Sequence, residues 1–257
     1  MELEKRDADV GHGHAEAHHE GFWRRYVFSQ DHKVIGIQYA LTSMVFMLAG
    51  FSFMLLMRWQ MAYPGRPIPW IGGLFSDATA PGGQMLPEFF NQLGAMHGTV
   101  MVFMAVVPLV VGAFGNYVVP LQIGAPDMAF PKLNMASYWC FLPGGLLMIS
   151  SFFLPGGAAR SGWTSYPPLS VLEPGQTVWL FAMVLLITSS LLGSVNFIVT
   201  IVQLRTRGLT FMRLPFFVWA QLVTAFLLLL AFPPLEAAAV LQLMDRLAGT
   251  SFFMPEG

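Results

Sequence analysis

Of six histidines, only His97 lies beyond residue 32, in the otherwise apolar string NQLGAMHGTV. A histidine inside a membrane is costly and usually pairs with something. Gly94 and Gly98 flank it and Ala95 lies close, which leaves room for a flat, bulky ligand. Imidazole is a common axial ligand of haem iron; a buried histidine bonded to another helix is the competing reading. A second set runs Asn116, Asp127 (in GAPDMAFP), Asn134 (in PKLN), then Ser189, Ser190 and Asn196. These hydroxyls and amides form a ladder with an acid at its foot. Such groups can hold a file of water that conducts protons, with Asp127 collecting them at the mouth. They also read as loop capping for Asp127 and interhelical hydrogen bonding for the rest. Arg58 closes an apolar run, where an arginine usually snorkels. Trp163, Thr164 and Tyr166, in GWTSYPP, can cap a ligand edge or anchor at a membrane interface. Glu236 follows Pro233 and Pro234, which are expected to bend or break a helix. It can exchange protons, bind a cation, or simply be solvated.

The elements that must position these residues are membrane helices. In 257 residues, 55% are hydrophobic and only 11% charged, against roughly 25% charged in soluble proteins. Mean hydropathy is +0.60. Five apolar runs cover about 34–57, 92–119, 137–154, 177–204 and 215–244. A bilayer core needs about 20 helical residues. Barrel strands would alternate over roughly ten residues, and these runs are longer and apolar all round. The predicted fold is therefore all-α, a polytopic transmembrane helix bundle. Gly112, Gly115, Gly144 and Gly145 predict close helix packing.

With the N-terminus inside, nine Lys and Arg lie on the inner side and four on the outer side. The inner set is Lys5, Arg6, Arg24, Arg25, Lys33, Lys132, Arg205, Arg207 and Arg213; the outer set is Arg58, Arg66, Arg160 and Arg246. This asymmetry predicts a cytoplasmic N-terminus. Residues 1–21, with HGHAEAHHE, read as a polar, mobile, His-rich tail ahead of a membrane domain over 22–257. A net charge of −1 excludes a broad nucleic-acid-binding face, and the single cysteine, Cys140, excludes an intrachain disulfide framework.

The strings SQDHKVIGIQY, AMHGTVMVFMAVVPLVVGAFGNYVVPLQIGAPDMAFPKLN, SGWTSYPPLS, SLLGSVNFIVTI and PFFVWAQLVTAFLLLL span nearly all of 22–253. In this order they resemble subunit I of the haem–copper oxidases, cytochrome c oxidase in particular. The resemblance implies the first five of about twelve helices. It implies that His97 ligates a low-spin haem, haem a in type, that Arg58 contacts that haem's formyl group, and that Trp163 lies near a propionate of the high-spin haem, with Tyr166 in the same loop motif. It also implies that Asp127 opens a proton channel lined by Tyr39, Asn116, Asn134, Ser189, Ser190 and Asn196. The implied partners are the remaining helices of subunit I, subunits II and III, cytochrome c as donor and O2 as substrate, in a bacterial inner membrane. Of the polar set that quinol oxidases carry, only Gln92 is matched; the other positions hold Ala49, Phe53 and Phe89. This favours cytochrome c over quinol.

One departure is large. Two haems and a copper ion need about six imidazoles, and the membrane part of this chain has one. The high-spin haem and copper are therefore expected only in a complete subunit. The chain reads as its N-terminal part, inactive alone; a non-catalytic five-helix haem protein is the alternative. The resemblance supplies no role for Glu236.

Overall fold

The computed structural model describes residues 21–254, so most of the predicted His-rich tail lies outside the described residues. Five helices are long and apolar enough to cross a membrane: α1 (His32–Ala62), α2 (Pro87–Ile123), α3 (Pro131–Phe153), α4 (Gln176–Gln203) and α5 (Phe216–Ala248). The described residues contain no strand. All five predicted spans are present, and most extend past the apolar runs. The reason is local. Asp31 caps α1 by accepting from the Lys33 and Val34 N–H groups at 2.7 and 3.3 Å, so the helix starts before its first apolar residue. Pro87 and Pro131 occupy the first turns of α2 and α3, where a missing N–H costs nothing. At 1.5 Å per residue α2 is roughly 55 Å long, well beyond a hydrocarbon core of about 30 Å.

Helix α1 packs along α2, α3 along α4, and α4 along α5. Small residues set these approaches. A Cβ on Gly112 would stand 2.7 Å from the Tyr39 ring, and one on Gly115 would stand 2.7 Å from the Phe197 ring. A Cβ on Gly145 would collide with the Phe46 ring. Much of α2 (Val100–Val106 and Pro108–Gly115) has π-helical hydrogen bonding, which widens the coil and is frequent near functional sites. Pro233 and Pro234 do not break α5, which continues to Ala248. Within a membrane, neighbouring helices and local adjustment re-satisfy the freed carbonyls, so proline is tolerated.

The connections differ at the two ends. Residues 63–86 and 154–175 form long segments at one end, here the long-loop end. Residues 124–130 and 204–215 form short ones at the other, the short-loop end.

Candidate functional site

His97 lies in the first three turns of α2, half-buried, and its Nδ1 is 2.8 Å from the Gly50 carbonyl oxygen of α1. This contact depends on Gly50. A Cβ there would stand 2.9 Å from Met101 Sδ and 3.2 Å from Val100 Cγ1, so only glycine lets α1 come this close. A carbonyl accepts only, so Nδ1 carries the proton and Nε2 keeps its lone pair. That is the arrangement by which second-shell bonding prepares an imidazole for a metal. A Cβ on Gly98 would meet only Trp163 Cδ1, at 3.8 Å, and a cavity of about 430 Å³ beside Gly94 and Ala95 is bordered by Met57 and Arg160. The residues around His97 thus fit a flat, iron-bearing ring.

The loop after α3 is held from α5. Gln242 Nε2 donates to the Ser165 carbonyl at 3.0 Å and to Ser170 Oγ at 3.1 Å, while its Oε1 accepts from Ser165 Oγ at 2.8 Å. Gln176 Nε2 donates to Ser165 Oγ at 2.6 Å. Arg246 donates to Thr177 Oγ1 and to the carbonyls of Ser170, Val171, Glu173 and Pro174. The buried Glu173 carboxylate accepts from the N–H groups of Arg160 and Ser161 and pairs with the Arg160 guanidinium at 3.4 Å. These bonds carry Trp163 against α2, its ring 6.1 Å from that of Phe103 and its Cδ1 beside Gly98. Tyr166 is 73% exposed, and Arg58 is exposed one turn before α1 ends. Neither is hydrogen-bonded to His97, whose partner is Gly50; what they share with it is the same end of the bundle.

Toward the short-loop end, polar groups converge between the helices. The Tyr39 hydroxyl donates to Ser137 Oγ at 3.0 Å and lies 3.2 Å from Ser189 Oγ. Tyr39, Asn116, Ser137, Ser189 and Ser190 line one cavity of about 40 Å³, where one water needs on the order of 10–15 Å³. Asn116 Oδ1 and both amide atoms of Asn134 are buried without a protein partner. Ser137 Oγ donates to the Asn134 carbonyl at 2.7 Å, linking the two on α3. Such unpaired buried groups normally find water. Asp127 lies half-buried in the loop before α3, its Oδ1 accepting from the Met128 N–H at 2.7 Å. Asn196 does not line the cavity. Its amide is spent on the Phe130 backbone, accepting from N–H at 2.9 Å and donating to C=O at 3.3 Å. With Thr200, whose Oγ1 accepts from the Ala129 N–H, it clamps the segment that carries Asp127.

Comparison with known proteins now adds the lineage. The family model described as Cytochrome C and Quinol oxidase polypeptide I matches residues 34–257. The chain belongs to this family. It is similar to cytochrome c oxidase subunit 1 of Synechocystis sp., 44% identical over 91% of this chain and 40% of that protein. It is likewise similar to the alternative cytochrome c oxidase subunit 1 of Bradyrhizobium diazoefficiens, 44% identical over 93% of this chain and 39% of that protein. For cytochrome c oxidase subunit 1 of Cereibacter sphaeroides the figures are 39%, 96% and 46%. The chain spans about two fifths of the length of the curated relatives it matches. It is an integral membrane protein of the haem–copper oxidase family, whose cofactors in general are haem and copper.

Sequence reasoning missed several residues of this chain. Ser137 looked like one more small residue in α3, and its role appears only across 98 residues of sequence, at Tyr39. His32 was counted with the N-terminal histidines, yet it is buried, with Nδ1 2.8 Å from the Asn116 carbonyl. Gln242 is not singled out by the sequence, and Arg246 enters there only as an outer-side cation. A polar residue each turn on one face of α5, at 242 and 246, was the available signal.

Proposed function

We propose that this chain is the N-terminal part of the catalytic subunit of a cytochrome c oxidase, with its N-terminus in the bacterial cytoplasm. In the complete subunit, electrons pass from cytochrome c through subunit II, O2 is reduced to water, and protons are taken up and pumped. The observation that carries the reading is His97, with Nδ1–H given to Gly50 and Nε2 left for iron. A low-spin haem, of the a type, held there would supply reversible one-electron transfer.

The chain's own residues bind, orient and conduct. Gly94, Ala95 and Gly98 leave room for a flat ring, and Arg58 would contact its edge. Trp163, with Tyr166 in the same loop, would lie near a propionate of a second, high-spin haem. Gln242 and Arg246 keep that loop in place. On the other side Asp127 takes protons from the cytoplasm. Asn134, then Asn116, Tyr39, Ser189 and Ser190 around the cavity, hand them along water, and Asn196 holds the entrance loop. In this proposal copper and the high-spin haem belong to the rest of the subunit. Subunit III completes the proposed complex, and the chain is inactive without these partners.

Cytochrome c rather than quinol as donor is supported by what fills the quinol positions. Phe53 and Phe89 pack on Phe152, with ring centroids 5.0 and 6.4 Å apart, and the Gln92 amide lies against Gly157, within 3 Å of any Cβ built there. The test is His97→Ala in the complete subunit, which is expected to abolish the low-spin haem spectrum. An intact spectrum removes His97 from the site. Asp127→Asn is expected to slow turnover and abolish pumping; an unchanged proton-to-electron ratio removes Asp127 from the path.

A further inference from the structure

The two ends of the bundle differ in charge. Among the described residues the long-loop end carries Arg58, Arg66, Arg160 and Arg246 against Asp77, Glu88, Glu173 and Asp245, four of each sign. The short-loop end carries Arg24, Arg25, Lys33, Lys132, Arg205, Arg207 and Arg213 against Asp31 and Asp127, seven against two. Arg205 is engaged by the fold. It is half-buried, its Nη1 donates to the Ile201 and Val202 carbonyls, and its guanidinium lies 3.9 Å from the centre of the Phe211 ring. The other six cations are exposed, and none is ion-paired among the described residues. Asp31 and Asp127 each turn an oxygen to backbone N–H groups.

Large apolar side chains stand beside these cations. The turn Trp23–Val27 buries none of its residues. Trp23 is 69% exposed, and Phe22, Tyr26 and Phe28 are exposed around Arg24 and Arg25. Met212 and Phe216, 90% and 94% exposed, flank Arg213. The first of these segments is nonetheless held in place. Gln38 Nε2 donates to the Tyr26 and Val27 carbonyls at 2.6 and 3.0 Å, and the Phe28 ring stacks on Trp139 of α3 with centroids 4.9 Å apart. Its backbone is fixed while its aromatic rings point away from the core. Aromatic rings at the ends of spanning helices rest at headgroup level. Cations interleaved with them meet anionic lipid, and a guanidinium matches the paired oxygens of a phosphate.

We propose that the short-loop end is a docking face for anionic phospholipid. Arg24 and Arg25 on one segment, and Arg207 and Arg213 on the other, take the phosphates, while Phe22, Trp23, Met212 and Phe216 sink toward the acyl chains. Lipid is selected over a water-soluble acidic partner because both segments adjoin the starts of spanning helices, α1 and α5, and present large apolar side chains between their cations. Anionic lipid is selected over neutral lipid because the excess of positive charge is confined to this end. The proposal rests on neither the haem nor the proton path.

The test is electron spin resonance of the purified full chain in phosphatidylcholine vesicles, with a trace of spin-labelled lipid to report how strongly each headgroup associates with the protein. One cation at an anionic surface contributes about fivefold. Averaged over all lipid sites around the chain, phosphatidylglycerol is therefore expected to associate about threefold more strongly than phosphatidylcholine. The preference is expected to fall as salt is raised. Arg24→Gln with Arg25→Gln, and Arg207→Gln with Arg213→Gln, are each expected to remove part of it, and the four together to abolish it. Arg66→Gln, at the balanced end, is expected to leave it unchanged. Circular dichroism of each variant, expected to match the wild type, separates lost binding from lost fold. Equal association of the two lipids with wild type, a preference insensitive to salt, or one that survives the four glutamines overturns the proposal. A preference that disappears as the protein-to-lipid ratio is raised shows a second copy covering this face and also overturns it.

Discussion

At the long-loop end Arg246 makes five hydrogen bonds and Gln242 three, and both carboxylate oxygens of Glu173 are engaged. Toward the short-loop end Asn116, Asn134 and Gln221 are as deeply buried, yet each leaves at least one amide atom without a protein partner. Around the 154–175 loop the same kinds of side chain are thus used in the opposite way, while Gln60 Oε1 and Gln92 Oε1 on the neighbouring helix ends are unpaired among the described residues. Saturated groups hold a loop in one conformation, because each broken bond strands a buried partner. Unsaturated groups, of which Asn116 lines the cavity, keep places for water, which rearranges as a proton passes. The first region is built to position, the second to conduct.

This contrast is open to direct test. Arg246→Ala removes the partner of four loop carbonyls and is expected to destabilise the chain most, by about 1.5–3 kcal/mol, the range for hydrogen bonds to a charged group; thermal unfolding in detergent and faster proteolysis within 154–175 measure it. Gln242→Leu is expected to cost about 1–3 kcal/mol in the same assay, since Ser165 and Ser170 lose their partner. Gly112→Ala pushes a methyl into the Tyr39 ring and is expected to cost about 1–3 kcal/mol as overpacking, with a change in tyrosine fluorescence. Asn134→Leu, the smallest effect on stability, is expected to be neutral or slightly stabilising, because the amide it removes has no protein partner. In the complete subunit the same change is expected to slow proton uptake. If Asn134→Leu instead destabilises as much as Gln242→Leu, the two regions do not differ and the water-file reading fails.

Each span was legible as an unbroken apolar run, because a bilayer demands the same property of every residue on a spanning helix. Helix ends were less legible. Capping at Asp31 and the prolines at 87 and 131 extend helices into polar sequence where hydropathy carries no signal. Much of the ladder was readable too, since a polar residue in an apolar run announces itself. Its assignment to one cavity was not. Asn196 has the right composition for the file and faces the Phe130 backbone instead, whereas Ser137, unremarked in sequence, hydrogen-bonds Tyr39.

Composition and hydropathy alone therefore settled that this chain is a bundle of membrane helices, and the isolated His97 and Glu236 stood out because charge and imidazole are rare in such surroundings. Which nitrogen of His97 is free, which amides remain unpaired, and that Thr188 is the group facing Glu236 were decided only by packing. These depend on contacts between residues 47 to 98 positions apart, and their geometry comes from where glycines let helices approach, which no local pattern along the chain encodes.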